Sequence, residues 1–213
     1  MRKIIRGLLV AAAAVASALA YSGLPERVPV HWNLSGEVDR YGSRTEALLL
    51  MPLMMLAVWG LMRLLPRIDP LRANYAKFAG TYELLIDAIL AMLFLIHVGI
   101  LLGASGAPDS VTIVVRLAVG AMFVVLGNVM PRTRQNWFIG VRTPWTLASA
   151  RVWEKTHRVG GYAFVVLGIL VLLTAPLAPQ VGMPFLTAGI VVVALGTVVY
   201  SYLEWRKEQA NGA

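Results

Sequence analysis

Six apolar runs, each about 20 residues long and nearly free of charge, constrain this chain more than any other feature of its sequence. About 20 helical residues cross roughly 30 Å of hydrocarbon, and a helix satisfies its own backbone polar groups there. With 58% hydrophobic and 14% charged residues, the 213-residue chain has too much apolar surface for one water-soluble core. The sequence therefore predicts an all-α integral membrane protein, a bundle of six transmembrane helices. The predicted spans are residues 4–21, 47–65, 84–102, 111–129, 159–177 and 181–203.

The positive side chains are distributed unequally over the predicted connections. Fifteen of the nineteen Lys and Arg residues lie at the two termini and in the second and fourth connections, whereas the third and fifth have none. Lys and Arg favour the cytoplasmic ends of membrane spans. Both termini are therefore predicted to be cytoplasmic, and the net charge of +8 requires no nucleic-acid partner. The absence of cysteine excludes disulfides and thiolate metal sites.

The first span permits a second interpretation. Residues 1–20 also fit a secretory signal, with a basic start and the small-x-small pattern Ala18-Leu19-Ala20. The run is long for a signal and five spans follow, which favours an uncleaved anchor. We predict an N-terminal two-span unit, 1–66, with an extracytoplasmic loop at 22–46, followed by a four-span domain, 67–213, with a cytoplasmic motif loop at 130–158.

The extracytoplasmic loop is predicted to be a small, irregular cap. Pro25 and Pro29 disfavour helix, and Ser35-Gly36 and Tyr41-Gly42 are typical of turns.

The same loop contains the densest group of potential metal ligands, His31, Glu37 and Asp39. An imidazole and two carboxylates could hold a divalent ion, but the spacing H-x5-E-x-D matches no strong metal motif. Hydrogen bonding within the cap and contact with an incoming peptide are the alternatives. The orientation places His157 across the bilayer from His31, so the two are not expected to share a metal.

The fourth connection is predicted to form an interfacial amphipathic helix on the cytoplasmic side. Thr143-Pro144 is typical of a helix start. The helix is expected to lie in the membrane interface and to turn at Gly160-Gly161 into span five. Its apolar face would carry Trp145, Ser149, Val152, Trp153 and Thr156, and its polar face Arg151, Glu154, Lys155 and Arg158.

The hydrogen-bonding residues around this helix have two interpretations. Trp and Arg at such positions commonly serve as interface anchors. However, polar groups beside a bilayer generally need an internal partner or a ligand. The residues with such groups are Asn128, Asn136, Arg142, Thr143, Thr146 and His157.

Span three carries Glu83, Asp87 and His97 within roughly 80° of its circumference, a face expected to point into the bundle. Ion pairing, with Arg142 as one partner, and a proton or ligand path are the two interpretations. Arg116, near the outer end of span four, is expected to extend to the headgroups.

Two stretches resemble a known bacterial family. Gly127-Asn128, Pro131, Asn136-x3-Gly140-x-Arg142-Thr143-Pro144-Trp145-Thr146 and Trp153-x3-His157-Arg158 are similar to the signature of the SdpI family. The stretch Pro25-x2-Val28-Pro29-x-His31-Trp32-Asn33-x2-Gly36-x2-Asp39-x-Tyr41-Gly42 is similar to an N-terminal domain of unknown function often joined to that family.

The resemblance implies a multi-pass protein of the bacterial inner membrane that confers immunity to a secreted antimicrobial peptide, signals by binding a soluble transcriptional repressor, or does both. Its partners would be membrane lipids, a toxic peptide outside and the repressor inside, with no direct contact to nucleic acid and no required cofactor. A membrane-embedded hydrolase, metal-dependent or not, and a small proton-coupled exporter are the alternatives. Candidate ligand or partner residues are His31, Trp32, Asn33, Asp39, Asn128, Asn136, Gly140, Arg142, Thr143, Pro144, Trp145, Thr146, Trp153 and His157.

Overall fold

The computed structural model describes residues 2–33, 35, 37–107 and 109–212. Within them, six helices are long and apolar enough to cross a membrane, which confirms the predicted all-α bundle. The long helices are α1 (Arg2–Ala20), α2 (Arg44–Ile68), α3 (Ala79–Ala104), α4 (Asp109–Val129), α6 (Ala150–Thr174) and α7 (Pro179–Gly212). The short elements are the helix α5 (Pro144–Ala148), the strands β1 (Arg27–Trp32) and β2 (Val38–Ser43), and 3₁₀ turns at Tyr21–Gly23, Arg72–Phe78 and Met130–Arg132.

The loop between α1 and α2 is more regular than predicted. β1 and β2 form an antiparallel hairpin, and Tyr41-Gly42 lies inside β2, so the turn predicted there is wrong. Gly36 of the other predicted turn lies outside the described residues. Val28 and Val30 alternate along β1, and both are buried against the helix ends. This period of two is the pattern of a strand, and Pro25 and Pro29 disfavour helix without excluding a strand. The surrounding apolar cluster adds Leu24, Ala47, Leu48 and Leu101.

A larger apolar cluster joins α1, α2 and α3. Met55 of α2 and Leu90 of α3 are fully buried, and Val10 and Ala13 supply the α1 side. α3, the first span of the predicted four-span domain, therefore packs against both helices of the N-terminal unit as well as against α4. The division at residues 66 and 67 stays a prediction.

α4 and α6 pack along a seam of glycines that are spaced seven residues apart on each helix. A Cβ added at Gly127 would lie 2.4 Å from the Gly161 carbonyl oxygen, and one added at Gly168 would lie 2.7 Å from the Gly120 carbonyl oxygen. Small residues allow this kind of backbone contact between membrane helices. The seam fixes the position of the connection between α4 and α6, residues 130–149, which we call the motif loop from this point.

The second half of the predicted interfacial helix belongs to the long helix α6. Thr143 caps a helix as expected, but α5 ends at Ala148. Ser149 has extended backbone angles and accepts a hydrogen bond from the Val152 N–H, so it starts α6. α6 then runs without a turn through Gly160 and Gly161, where the turn into span five was predicted. The turn prediction was wrong because these glycines serve helix packing.

The buried and exposed faces predicted for residues 150–158 are correct, but the buried face contacts protein where the membrane interface was expected. Val152, Trp153 and Thr156 are buried against protein, and Arg151, Glu154 and Arg158 are exposed. The apolar face therefore contacts the bundle.

Arg116 does not extend to the headgroups, contrary to the expectation. It is fully buried, and its guanidinium donates to the carbonyl oxygens of Thr112 (3.1 Å), Thr174 (3.3 Å) and Leu177 (2.8 Å). A cation at a helix C-terminus satisfies carbonyls that have no partner within the helix. Arg116 thus ties α4 to the end of α6.

Candidate functional site

Asn136 organises the first part of the motif loop. It is fully buried, and its side-chain oxygen accepts from the N–H groups of Phe138 (3.0 Å) and Ile139 (2.6 Å). Its amide nitrogen donates to the carbonyl oxygens of Arg134 (2.9 Å) and Ile139 (3.0 Å). Two donors and two lone pairs are all that an asparagine amide offers. Asn136 therefore shapes the backbone from 134 to 139.

His157 holds the middle of the loop from α6. Its Nδ1 lies 2.8 Å from the Trp153 carbonyl oxygen, and its Nε2 accepts from the Val141 N–H at 3.0 Å. A carbonyl can only accept and an N–H can only donate, so this geometry assigns the Nδ1–H tautomer. The ring stacks on Trp153, with centroids 4.0 Å apart. Both nitrogens are occupied, which favours a structural role for His157.

Gly140 permits this contact. Its φ is +109°, and an added Cβ would lie 2.2 Å from His157 Nε2. An L side chain is disfavoured at this φ and has no room at this position.

Thr143 and Thr146 close the loop onto α7. They form a reciprocal capping box at the start of α5, and Pro144 occupies the first turn. The Thr146 hydroxyl donates to the Val141 carbonyl oxygen at 2.8 Å, and the Thr143 and Ser201 hydroxyls are 3.0 Å apart. The start of α5 is therefore tied both to the motif loop and to α7.

The motif loop also has an exposed part, which includes Trp137 and Arg142. Arg142 is exposed and donates to the Trp137 carbonyl oxygen at 2.9 Å, and the Trp137 ring is 50% exposed. Trp145 is half-buried beside Tyr202, with ring centroids 5.0 Å apart. Asn128 does not join this group, since it is exposed and donates to the Val124 carbonyl oxygen of its own helix.

Asp69, which the sequence analysis overlooked, connects the motif loop to the N-terminal helices. It is buried, and its Oδ2 accepts from the Trp137 N–H and the Tyr75 hydroxyl, each at 2.9 Å. Its Oδ1 accepts from the Leu71 N–H at 2.7 Å. One sequence signal was present, since Asp69 is the single acid in the basic stretch 63–82.

At the other end of the bundle, the hairpin groups its polar residues in two pairs. His31 Nδ1 lies 2.6 Å from Asp39 Oδ1, and both side chains are exposed. Asn33 donates to Glu37 Oε2 at 3.1 Å and accepts from the Glu37 N–H, and Trp32 is half-buried. Within the described part of the chain, no three His, Asp or Glu side chains converge on a metal position. The predicted trio of His31, Glu37 and Asp39 is therefore not assembled in this structure.

The polar residues of α3 face α1. Arg6 lies 2.7 Å from Glu83 Oε2 and 2.6 Å from Asp87 Oδ1, so the partner is Arg6 and the suggested Arg142 was wrong. His97 is fully buried, with Nε2 2.9 Å from the Ser17 hydroxyl and 3.2 Å from the Ala13 carbonyl oxygen. The acids and His97 therefore occupy separate sites along the α1–α3 contact.

The candidate residues thus form two constellations at opposite ends of a helical bundle. The hairpin offers exposed imidazole, carboxylate and amide groups, and the motif loop offers an aromatic and basic surface on a rigid, hydrogen-bonded frame. The structure keeps His31 and His157 apart, as expected from the charge pattern. Each constellation is suited to binding a ligand or a partner.

Comparisons with known proteins agree with this architecture. Residues 8–56, which include the hairpin, match the model of a domain of unknown function, DUF1648. Residues 132–201, which include most of the motif loop, match the SdpI/YfhL protein family. The chain is 26% identical over 198 residues to Immunity protein SdpI of Bacillus subtilis (strain 168), covering 93% of this chain and 91% of that protein. No solved structure matches the chain. The chain is thus a multi-pass membrane protein in which residues 132–201 are similar to the SdpI/YfhL family and residues 8–56 to the DUF1648 domain.

Proposed function

We propose that this protein confers immunity to a secreted antimicrobial peptide in the inner membrane of a bacterium. The observation that carries the proposal is the similarity to Immunity protein SdpI, which extends over 93% of this chain and 91% of that protein. A similarity of this extent includes both constellations and the helices between them.

In this proposal the hairpin faces outward and meets the peptide. The charge pattern supports the orientation, because the motif-loop end carries fifteen of the nineteen Lys and Arg residues. Exposed His31 and Asp39, with Asn33 and Trp32 beside them, offer hydrogen bonds and an aromatic surface to an incoming chain.

We further propose that the motif loop binds a soluble cytoplasmic partner, such as a transcriptional repressor, and that α2 connects the two events. At its start, Ser43 caps α2 and Arg40 pairs with Glu46 at 2.6 Å. Just after the end of α2, Asp69 accepts a hydrogen bond from the Trp137 N–H. The 25 residues of α2 span about 37 Å. A shift of the hairpin would therefore reach the motif loop through one helix.

Expression in a peptide-sensitive strain tests the immunity proposal. We expect the native chain to raise survival and the variant His31→Ala/Asp39→Ala to lose most of that protection. Arg142→Ala, at the opposite end, is the matched control and should retain it. Equal amounts of each protein must be present in the membrane fraction. Unchanged survival with the native chain, across several secreted toxic peptides, would refute the proposal.

The partner proposal has its own readout. Membranes containing the native chain should retain the repressor in a sedimentation assay, and Trp137→Ala/Arg142→Ala should release it. His31→Ala/Asp39→Ala is the control, because it alters the far end. Equal retention by both variants would contradict a binding surface at the motif loop.

The hydrolase and exporter alternatives have less support in the structure. The hydrolase could use His31 or His157. Both ring nitrogens of His157 are occupied, and the His31–Asp39 pair has no third metal ligand within the part of the chain that the structure describes. An exporter built on Glu83 and Asp87 would need acids that exchange protons, and both bind Arg6.

A further inference from the structure

A basic pocket opens between α1, α2 and the start of α3, at the motif-loop end of the bundle. Its volume is about 390 Å³. Four basic side chains and one carboxylate line it: Lys3, Arg6, Arg63, Arg67 and Glu83.

The single carboxylate is already neutralised. Glu83 pairs with Arg6 at 2.7 Å, and Asp87, which also binds Arg6, has a second cation in Arg2 at 3.5 Å, so two cations balance the two acids. Lys3, Arg63 and Arg67 are exposed and have no hydrogen bond or ion pair among the described residues. The pocket therefore presents three positive charges without a counterion, and Arg63 and Arg67 lie one turn apart on the same face of α2.

Beneath these charges the pocket is apolar. The Tyr75 hydroxyl donates to Asp69 and the Tyr82 hydroxyl donates to the Met62 carbonyl oxygen, so neither is free for a ligand. The two buried rings and buried Ile86 present hydrocarbon surface, and exposed Ala79 adds to the wall of the pocket. A cationic rim above an apolar floor is complementary to an amphiphilic anion.

We propose that this pocket binds an anionic phospholipid, with the phosphate held by Arg63, Arg67 and Lys3 and the upper acyl chain against the tyrosine rings. Guanidinium groups bind phosphate oxygens in a bidentate manner, and basic pockets between transmembrane helices recognise lipid headgroups. The rim lies where α1 begins and α2 ends, and the ends of membrane spans are where headgroups are expected. The site goes beyond the proposed immunity function, because neither constellation contributes to it.

Native mass spectrometry of the full chain in a neutral detergent tests the proposal. Phosphatidylglycerol, phosphatidylcholine with the same acyl chains, and inorganic phosphate are titrated in turn. We expect phosphatidylglycerol to bind in preference to both, and Arg63→Gln/Arg67→Gln to weaken it roughly 30-fold. The matched control Arg132→Gln/Arg158→Gln removes two exposed charges at the same end of the bundle and should change the affinity less than about twofold.

Four outcomes would overturn the inference. Equal loss in both double variants would indicate a diffuse surface attraction. Equal binding of phosphatidylcholine would show that the charges do not select the lipid, and equal binding of inorganic phosphate would indicate a site for a soluble anion. A further variant, Ala79→Trp, places a large ring at the wall of the pocket without changing any charge and should also exclude the lipid. Lipid retained at native affinity by this variant would place the binding elsewhere.

Discussion

Asn136, His157 and Asp69 use their hydrogen-bonding capacity on the backbone of the motif loop and its neighbours. Between them they bind four N–H groups of residues 137–141. The motif loop joins two membrane helices and contains no long regular element of its own. Side chains therefore satisfy its backbone groups, since unsatisfied buried groups are costly. The exposed Trp137 and Arg142 are left available to a partner.

Gly140 provides one test at this scale. Gly140→Ala places a side chain at φ +109° and 2.2 Å from His157 Nε2, so Val141 should lose its bond to His157. We expect a loss of about 2–4 kcal/mol in the free energy of unfolding in detergent. Gly60→Ala, in α2 with nothing within 4 Å of the added Cβ, is the control and should be neutral or stabilising. Equal stability of the two variants would contradict this role for Gly140.

Asp69 provides a second test at the scale of single residues. Asp69→Asn replaces an acceptor with an NH₂ group beside three donors, the N–H groups of Leu71 and Trp137 and the Tyr75 hydroxyl. We expect a cost of about 1–3 kcal/mol and faster proteolysis within the motif loop. Glu154→Gln, an exposed acid without a partner among the described residues, should leave the proteolysis rate unchanged. A native cleavage rate in Asp69→Asn would argue against the link between α2 and the motif loop.

At the scale of the elements, glycine packing and terminal caps set the arrangement. α4 and α6 approach through four glycines at a spacing of seven residues, and Arg116 ties α4 to the end of α6. Within lipid, apolar side chains gain little from leaving the bilayer, so close van der Waals contact and interhelical hydrogen bonds drive association. This helix pair determines the position of the motif loop.

Changing glycine to alanine is expected to have opposite effects on stability inside and outside this seam. Gly127→Ala places a methyl group 2.4 Å from the Gly161 carbonyl oxygen and should cost about 1–3 kcal/mol through forced separation of the helices. Gly196→Ala, in α7 with nothing near the added Cβ, should gain up to about 1 kcal/mol in helix propensity. Thermal unfolding in detergent compares the two. A stabilised Gly127→Ala protein would show that the backbones are not in contact.

At the scale of the whole molecule, the two constellations lie at opposite ends of the bundle, and α2 runs between them. The α1–α3 contact adds two polar links along this path: the partly exposed pairs of Arg6 with Glu83 and Asp87, and the buried pair of Ser17 with His97. A protein arranged in this way can present one surface on each side of a membrane.

Orientation is testable because the chain has no cysteine. Ser35→Cys in the hairpin and Ala148→Cys at the end of α5 are both exposed positions. In intact cells, an impermeant maleimide should label Ser35→Cys directly and Ala148→Cys only after permeabilisation. Labelling of both from the same side would contradict the two-sided arrangement and with it the proposed relay.

Much of the architecture could be predicted from the sequence, because hydrophobicity and charge act locally. Runs of about 20 apolar residues indicate membrane spans whatever their neighbours are. Thr143 and Pro144 start a helix through contacts within one turn, and the buried and exposed faces of residues 150–158 follow from helical periodicity.

Only the tertiary structure decided which distant groups meet. The partner of Glu83 and Asp87 is Arg6, about 80 residues away, and Asp69 binds Trp137 across two further helices. Gly160 and Gly161 have the composition of a turn, yet they lie within a continuous helix because another helix approaches there. Spans and faces are therefore properties of the local sequence. Ion pairs, close helix contacts and the frame of the motif loop depend on long-range packing, which local composition does not specify.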